Sequence, residues 1–205
     1  MFSIDVAWFK LSFHIIFFMK AIALTGNIGS GKTTVLKFVR SMHISVIDSD
    51  RIVASFYRDK KVQEKIFRIF DTSKRQAIAS IAFSSPSKRR KLEKLLHPLV
   101  WHAVKQKLSA FRSRGSKLVV VEVPLLFEAN WQKRFDSVIF VKSSKKKCLK
   151  RLAKKGIAQK DVLLRWNAQL PAKKKIKSSQ YIIDNSKTLA NTRKQVLLLI
   201  EDLVK

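Results

Sequence analysis

Residues 26–33 read GNIGSGKT, and they fit the pattern G-x-x-x-x-G-K-[ST] of a phosphate-binding loop, or P-loop. The apolar run 20–25 before the loop predicts a buried strand, and residues 34–40 after it carry apolar side chains at helical spacing. Three of the 5 glycines of the chain fall inside this loop, so the chain uses glycine here for backbone shape. Strand, glycine-rich turn and helix together form the context that a P-loop requires.

The motif assigns a chemical task to each part of the loop. Backbone N–H groups of the loop and of the following helix face an anion. We expect Lys32 to reach the β- and γ-phosphates of ATP, and the Thr33 hydroxyl to ligate Mg²⁺. The residues predicted to surround the phosphates are Asn27, Ile28, Gly29, Ser30, Gly31, Lys32, Thr33 and Thr34.

Composition narrows the class of protein. The 205 residues suit one domain, and a hydrophobic content of 46% argues for a folded globule rather than a disordered chain. The one cysteine, Cys148, cannot form an internal disulfide, which suits a reducing cytosol and predicts a cytoplasmic protein. The formal net charge of +29 fits either nucleic-acid binding or a site for polyanionic small molecules.

Residues 1–18 read MFSIDVAWFKLSFHIIFF and stand apart from the P-loop unit. The uninterrupted apolar run 15–18 is too short to span a bilayer, and the segment lacks a clear basic start or cleavage site of a signal peptide. Because Met19 directly precedes the first predicted strand, we expect residues 1–18 to be a leader outside the fold. A segment that lies on a membrane surface is the alternative.

Residues 44–47 predict a second buried strand, which runs into Asp48-Ser49-Asp50. Ligands of parallel α/β sheets bind beyond the carboxyl ends of the strands, so we expect both carboxylates near the phosphates. The alternative for Asp50 is a structural one, because an Asp at the start of the helical pattern 50–56 is a good helix N-cap.

Residues 60–114 carry two amphipathic patterns of helical spacing, divided by Pro86, and no strand pattern. We expect this segment to be a helical insertion that holds a substrate. It contains Leu96-His97-Pro98, and from the pattern alone His97 is more often a packed or solvated histidine than a functional one.

Further strands are predicted at 117–123, 137–141 and 180–183. Strands that alternate with helices predict an α/β fold, a three-layer sandwich with a parallel five-stranded sheet covered on both faces. Glu122, near the end of the third strand, is a loose candidate for a Walker-B-type acid. The chain ends in an amphipathic helix with one predicted apolar face, formed by Leu189, Val196, Ile200 and Leu203.

The segment 142–177 carries 14 Lys and Arg residues against one acid, Asp161. Such a stretch is either a solvated basic face or a lid whose cations close over ATP phosphates. We take residues from about 150 to 177 as the predicted lid. Its most prominent cations are Arg151, Arg165 and the run Lys173, Lys174 and Lys175.

Several short segments follow one another in a set order along the chain. They are Ala23–Gly26 leading to Gly31–Thr33, Asp48–Asp50, Leu96–Pro98, Val123–Glu128 and Tyr181–Asn185. In this combination the chain, from about Met19 to its C-terminus, resembles the dephospho-CoA kinase family. The resemblance implies a P-loop kinase with a nucleotide-binding core at 19–59 and 115–205 and a substrate-binding insertion at 60–114. Its implied reaction transfers the γ-phosphoryl group of ATP to the 3′-hydroxyl of dephospho-CoA, the last step of coenzyme A synthesis.

The resemblance also implies roles for individual residues. Asp50 is similar to the catalytic acid beside the acceptor hydroxyl, and His97 to a residue of the substrate-binding helical domain. Arg151 is similar to a catalytic lid arginine that contacts phosphate, and Asn185 lies where the family has its adenine-binding segment.

The chain departs from the family pattern at three places. Asn27 stands where the family usually has glycine, and the segment after Phe70 is shorter than usual. Lys155-Gly156 stands where an Arg-Asp pair is common, and lysine keeps the charge but loses the bidentate fork of arginine.

Two other functions fit part of the sequence. Another small-metabolite kinase on the same scaffold, acting on a nucleoside or nucleotide, would not need the acids at 48 and 50 and the His-Pro pair in these contexts. A basic nucleic-acid-binding P-loop ATPase fits the charge, but the sequence lacks a clear Walker-B run ending in Asp-Glu. We therefore expect ATP and dephospho-CoA as partners, with no specific nucleic acid and no membrane.

Overall fold

The computed structural model describes residues 19–205, and the predicted leader, residues 1–18, lies outside the described residues. Within residues 19–205, five strands form one parallel sheet in the order β2-β3-β1-β4-β5. The strands are β1 (Lys20–Thr25), β2 (Ser45–Asp48), β3 (Leu118–Glu122), β4 (Ser137–Lys142) and β5 (Tyr181–Asp184). The predicted α/β class and the parallel five-stranded sheet are confirmed. The first and last residues of every strand lie within one residue of the predicted positions.

Helices connect the strands along the chain. They are α1 (Lys32–Ser41), α2 (Ser49–Phe56), α3 (Lys60–Phe70), α4 (Arg75–Ser84), α5 (Pro86–Ser113), α6 (Lys145–Ala153), α7 (Gln159–Asn167), α8 (Ala172–Lys177) and α9 (Leu189–Val204). A short 3₁₀ helix covers Gln132–Arg134. In the part of the chain that the structure describes, no helix is both long and apolar enough to cross a lipid bilayer.

Both faces of the sheet are covered by apolar side chains. Alternate side chains of each strand point to opposite faces, so each strand contributes to both. In β3, Val119 and Val121 belong to a core cluster that also contains Val104 of α5. Leu118 and Val120 belong to the cluster on the other face, to which α1 and α9 contribute. A strand buried on both faces reads as a continuous apolar run, which explains the sequence LVVV at the start of β3.

A third apolar cluster lies among α3, α4 and α5, apart from the two sheet clusters. Its α3 side chains, Val62, Ile66 and Phe70, follow the predicted amphipathic spacing. The segment 60–114 forms three helices rather than the two predicted patterns, because residues 75–84 form α4 and bury Ile78 and Ala82 in the cluster. This separate packing supports a helical insertion, whose bounds stay a prediction.

The last helix differs from its predicted apolar face at one residue. The other predicted residues of that face are buried, but Leu189 is 62% exposed. Thr188 caps α9, so Leu189 is the first helical residue and lies beyond the edge of the core. Thr192, fully buried one turn later, takes the inward position instead.

The sheet faces predict which isoleucines stabilise the fold. Ile139 in β4 is 1% exposed and Ile182 in the neighbouring β5 is 47% exposed. Ile139→Ala is expected to lower the free energy of unfolding by about 2–5 kcal/mol, because it removes buried methyl groups and leaves a cavity. Ile182→Ala, the matched control, is expected to change it by no more than about 1 kcal/mol. Urea denaturation followed by circular dichroism measures both, and equal losses would contradict the assigned faces.

Candidate active site

The P-loop joins the end of β1 to the start of α1 at the carboxyl edge of the sheet. Gly31 is the N-cap residue of α1 and has a φ of 98°, a conformation that glycine adopts without steric cost. A Cβ at Gly31 would also overlap the side-chain amide of Asn185. Glycine is therefore required at this position both by the backbone and by the neighbouring side chain.

The outer side of the P-loop is held through its carbonyl oxygens. Arg151 of α6 donates from Nη1 to the Gly29 oxygen at 3.3 Å and to the Ser30 oxygen at 3.0 Å. Asn185, directly after β5, donates from Nδ2 to the same Ser30 oxygen at 2.8 Å. The Ser30 N–H donates to the Asn27 oxygen inside the loop, so an anion would be received by the N–H groups that follow it, at the start of α1.

Arg151 hydrogen-bonds to the P-loop and does not lie at the outer part of the predicted lid. Its Nη1 also lies 3.3 Å from Ser143 Oγ, and its Nη2 donates to the backbone oxygen of Asn185 at 3.0 Å. The guanidinium thus ties the P-loop to the segments that follow β4 and β5. The phosphate contact that the family resemblance implies for Arg151 stays a prediction.

Asn185 is oriented by a side chain of the last helix. Thr192 Oγ1 donates to Asn185 Oδ1 at 2.9 Å, and Asn185 is 2% exposed. Because Oδ1 is the acceptor, Nδ2 must be the donor to the P-loop. The predicted adenine-binding residue therefore lies in direct contact with the phosphate-binding loop.

The P-loop lysine, Lys32, is bonded to backbone oxygens of its own loop. Lys32 Nζ donates to the backbone oxygen of Gly26 at 3.0 Å and lies 3.4 Å from that of Asn27. Burial lowers the pKa of Lys32, while the carboxylates of Glu122 and Asp50 favour its charged form. Anionic phosphate oxygens are stronger partners for an ammonium than these neutral carbonyl groups. The Lys32 ammonium can therefore exchange the loop carbonyls for the phosphate oxygens of a nucleotide.

The two acids after β2 have different surroundings. Asp48 is the N-cap residue of α2, and its Oδ1 accepts from the Arg51 amide at 3.1 Å. The alternative that Asp50 caps this helix is wrong: β2 extends to Asp48, α2 begins at Ser49, and Asp50 already lies in the first turn. Asp48 therefore caps α2, and the Asp50 carboxylate is not used as a helix cap.

Asp50 and Glu122 both interact with the Lys32 ammonium. Burial raises the pKa of Glu122, which is 6% exposed, to about 7; Lys32 opposes the rise, and Asp50 and Asp48 add to it. Asp50 is exposed as a residue, yet partial burial of its carboxyl raises its pKa, with Lys32 again opposing. β3 lies between β1 and β2 and pairs Glu122 with Asp48, so the order of the strands brings these groups together.

His97 lies on α5 and packs against an aromatic ring. Its imidazole centroid is 5.5 Å from that of Trp131, with the rings edge to face. Burial lowers the pKa of His97, Glu93 opposes the shift, and Arg134 adds to it. These surroundings fit the packed alternative for His97, and its part in substrate binding stays a prediction.

The predicted lid contains α6, α7 and α8, and its cations are not equivalent. Lys173 and Lys174 are exposed, but Lys175 is 1% exposed and its Nζ lies 2.7 Å from Glu128 Oε1. The lysine run is therefore not a uniform basic face. Arg165 of α7 lies over the Phe83 ring of α4, 5.5 Å from its centroid.

Gln169 is a site residue that the sequence patterns do not reveal. It lies in the loop 168–171 between α7 and α8, and its Oε1 accepts from the Ile28 amide of the P-loop at 3.0 Å. A single glutamine in a lysine-rich segment matches no functional motif. Its contact with the P-loop is therefore visible only in the structure.

Oxygen ligands that suit Mg²⁺ lie at this edge of the sheet. The Thr33 hydroxyl stands at the start of α1, and Asp50 and Glu122 come from the ends of the neighbouring β2–α2 and β3 segments. Among residues 19–205 there is no cluster of three or more His, Cys, Asp and Glu that could cage a metal ion. Mg²⁺ in kinase sites takes one or two protein oxygens and completes its shell with phosphate and water, so this donor set fits the ion.

Three features of the site together define a P-loop kinase. They are a P-loop held through its carbonyl oxygens, carboxylates at the ends of the adjacent strands, and basic helices beyond β4. The family model described as dephospho-CoA kinase matches residues 20–191. The dephospho-CoA kinase of Aquifex aeolicus is 34% identical over 196 residues, which cover 91% of this chain and 99% of that protein. The dephospho-CoA kinase of Bartonella henselae is 36% identical over 194 residues, which cover 91% of this chain and 100% of that protein.

A crystal structure of a Thermus thermophilus protein matches the fold with a TM-score of 0.80 and 30% sequence identity, covering 92% of this chain and 99% of that one. The chain belongs to the dephospho-CoA kinase family, which confirms the resemblance seen in the order of its motifs.

The buried carboxyl of Glu122 predicts a pH-dependent stability. Its pKa rises from the ordinary 4.5 to about 7 in the fold, so its neutral form favours folding, and this contribution is lost as the pH rises from about 4.5 to about 7. Glu122→Gln, which cannot ionise, is expected to gain up to about 3 kcal/mol over the parent chain between pH 5 and pH 8, at about 1.4 kcal/mol per pH unit.

Urea denaturation without nucleotide, repeated across this pH range, measures the difference. Glu201→Gln on the exposed face of α9 is the matched control for the lost charge. A stability difference between Glu122→Gln and the parent that does not change with pH would show that Glu122 is ionised throughout.

Proposed function

We propose that the carboxyl edge of the sheet transfers the γ-phosphoryl group of ATP to the 3′-hydroxyl of dephospho-CoA, giving coenzyme A and ADP. The observation that carries the proposal is the electrostatic coupling of Asp50 and Lys32 at the mouth of the P-loop, with capping left to Asp48. A base for the acceptor and a cation for the transferred group would thus lie close enough to act on one phosphoryl transfer. Membership of the dephospho-CoA kinase family supports the identity of both substrates.

The nucleotide half of the site is built on the P-loop. Its backbone amides and the start of α1 receive the phosphates, and Lys32 moves from its loop carbonyls to the β- and γ-oxygens. Positive charge at these oxygens stabilises the transition state, in which charge spreads over the transferred group. Arg151 and Asn185 hold the loop from behind, and the segment at Asn185 is proposed to receive the adenine.

Mg²⁺ is proposed to bind at the Thr33 hydroxyl, beside the carboxylates that end β2 and β3. When bound, the ion supplies positive charge that neutralises the phosphate oxygens. The chemistry of the donors supports this site, because hydroxyl and carboxylate oxygens are the ligands that Mg²⁺ prefers.

Asp50 is proposed to prepare the acceptor. A ribose hydroxyl is a weak nucleophile at neutral pH, and its proton must leave as the new P–O bond forms. The Asp50 carboxylate can accept that proton or orient the hydroxyl in line with the γ-phosphate. The O–H bond breaks toward Asp50, the hydroxyl oxygen bonds to the γ-phosphorus, and ADP leaves with the electrons of the broken P–O bond.

The helical insertion, residues 60–114, is proposed to hold the remainder of dephospho-CoA. Its own apolar cluster supports a helical unit, and Val53 and Phe56 of α2 pack both against this cluster and against a cluster of the sheet. His97 belongs to this unit, and its edge-to-face contact with Trp131 supports a role in shaping the substrate surface. A cytoplasmic location is part of the proposal, supported by the free thiol of Cys148.

Asp50→Asn tests the role of the carboxylate. The substitution is expected to lower kcat by about 10²- to 10⁴-fold, because it removes the acceptor for the proton and keeps the shape of the side chain. Melting temperature and ATP affinity are expected to stay at the parent values, since Asp48 does the capping. Coenzyme A formation followed by mass spectrometry gives kcat.

Asp59→Asn is the matched control, because Asp59 is also an exposed aspartate at a helix start and caps α3 through the Val62 amide. Asn is as good an N-cap as Asp, so this variant is expected to behave as the parent. An Asp50→Asn variant that turns over like the parent would exclude Asp50 from the chemistry.

Lys32→Ala tests the phosphate site. The loss of the ammonium is expected to lower kcat by at least about 100-fold, because electrostatic stabilisation carries most of phosphoryl transfer. Lys37→Ala, on the exposed face of the same helix, is the control and is expected to keep the parent rate. Retained turnover in Lys32→Ala would place phosphoryl transfer outside the P-loop.

A further inference from the structure

Consecutive residues of the loop 168–171 are bound to two other parts of the chain. Gln169 Oε1 accepts from the Ile28 amide of the P-loop at 3.0 Å. The next amide, that of Leu170, donates to Glu128 Oε1 at 2.8 Å, and Glu128 belongs to the segment that follows β3. Because Gln169 and Leu170 are adjacent, a shift of the Leu170 backbone moves Gln169 with it.

Glu128 is in turn anchored by a buried cation. Lys175 Nζ lies 2.7 Å from Glu128 Oε1, and the exposed fractions of the two side chains are 0% for Lys175 and 16% for Glu128. Lysine is almost never fully buried unless it is paired, and breaking such a pair leaves an uncompensated charge. Lys175 lies on α8, directly after the loop, so the ion pair closes the loop at its far end. We call Glu128, Gln169, Leu170 and Lys175 the latch.

The latch joins parts of the nucleotide site that are distant in sequence. Ile28 lies in the first half of the P-loop, so its bond to Gln169 fixes the loop where it leaves β1. Arg165 lies four residues before Gln169, near the end of α7, so the bond from Gln169 to Ile28 ties the segment directly after this helix to the P-loop. Glu128 is thus connected, through the Leu170 amide and Gln169, to the P-loop next to the end of α7.

We propose that Glu128 is a positioning residue for nucleotide binding: it holds the Leu170 amide, and through it places Gln169 on the P-loop. The inference rests on the proposed function for the identity of the nucleotide. An ion pair with a purely structural role would change the melting temperature and leave nucleotide affinity unchanged. If Glu128 has a positioning role, breaking the connection weakens nucleotide binding and leaves the KM for dephospho-CoA at the parent value.

Two double variants separate the hydrogen bond from the charges. Glu128→Gln with Lys175→Met removes both charges and keeps an oxygen that can accept from the Leu170 amide. Glu128→Leu with Lys175→Met removes the same charges and lacks that acceptor. Neither variant introduces an unpaired charge at position 128 or 175, and both have the same net charge, so they differ in the side-chain amide that can accept from Leu170.

Binding of MgADP, measured by calorimetry on the full chain, is the primary measurement, and KM values for ATP and dephospho-CoA accompany it. The Gln double variant is expected to bind MgADP within about twofold of the parent. The Leu double variant and Gln169→Ala are each expected to bind it up to about tenfold more weakly, the most that the loss of positioning by one hydrogen bond can cost. Gln169→Ala added to the Leu double variant is expected to cost no more than about a further twofold, because both changes break one connection.

Parent-like MgADP affinity in the Leu double variant, with only the melting temperature lowered, would overturn the inference. Effects that multiply to about 100-fold in the combined variant would also overturn it, since independent sites add in free energy. If the double variants do not fold, Gln169→Ala decides alone: its side chain is half-buried in a loop, and unchanged affinity would refute the latch. A parent chain that binds MgADP but does not phosphorylate dephospho-CoA would refute the proposed function and leave this inference standing.

Discussion

The site depends on a P-loop backbone whose polar groups are held by hydrogen bonds from neighbouring segments of the fold. Arg151 and Asn185 take the carbonyl oxygens of Gly29 and Ser30, and Gln169 takes the amide of Ile28. The sheet order explains why these side chains can converge: β4 lies next to β1 and β5 lies next to β4. The segments that follow β4 and β5 therefore emerge beside the loop that follows β1. An anion site made in this way needs little rearrangement, which is the condition under which fixed dipoles stabilise a transition state most.

The neighbours of β1 on its other side supply the opposite charge. β3 ends in Glu122 and β2 runs into Asp48 and α2, which brings acidic side chains near the Lys32 ammonium, and Glu122 and Asp50 favour its charged form. In a chain with a net charge of +29, Asp48, Asp50 and Glu122 form a local concentration of negative charge at one edge of the sheet. The proposed function assigns phosphate binding to the P-loop side of this edge and preparation of the acceptor to the acidic side.

Local patterns in the sequence were enough for the sheet and the P-loop, because buried parallel strands are continuous apolar runs and the loop has its own glycine spacing. They were not enough for α4, whose weakly amphipathic sequence takes its place from the cluster that it completes with α3 and α5. The choice between Asp48 and Asp50 as the cap depended on the last residue of β2, a boundary that periodicity does not resolve to one residue. Lys175 looked like its exposed neighbours, and its burial follows from a carboxylate far away in sequence, Glu128.

The most direct test of the central claim is the identity of the product. The full chain is incubated with Mg²⁺, ATP and dephospho-CoA, and phosphorus NMR with mass spectrometry locates the new phosphate. The account predicts one phosphate on the ribose 3′-oxygen for each ADP formed, and no transfer to a dephospho-CoA analogue that lacks the 3′-hydroxyl. Transfer to a different position, or ADP formed at the same rate with the analogue, would contradict it.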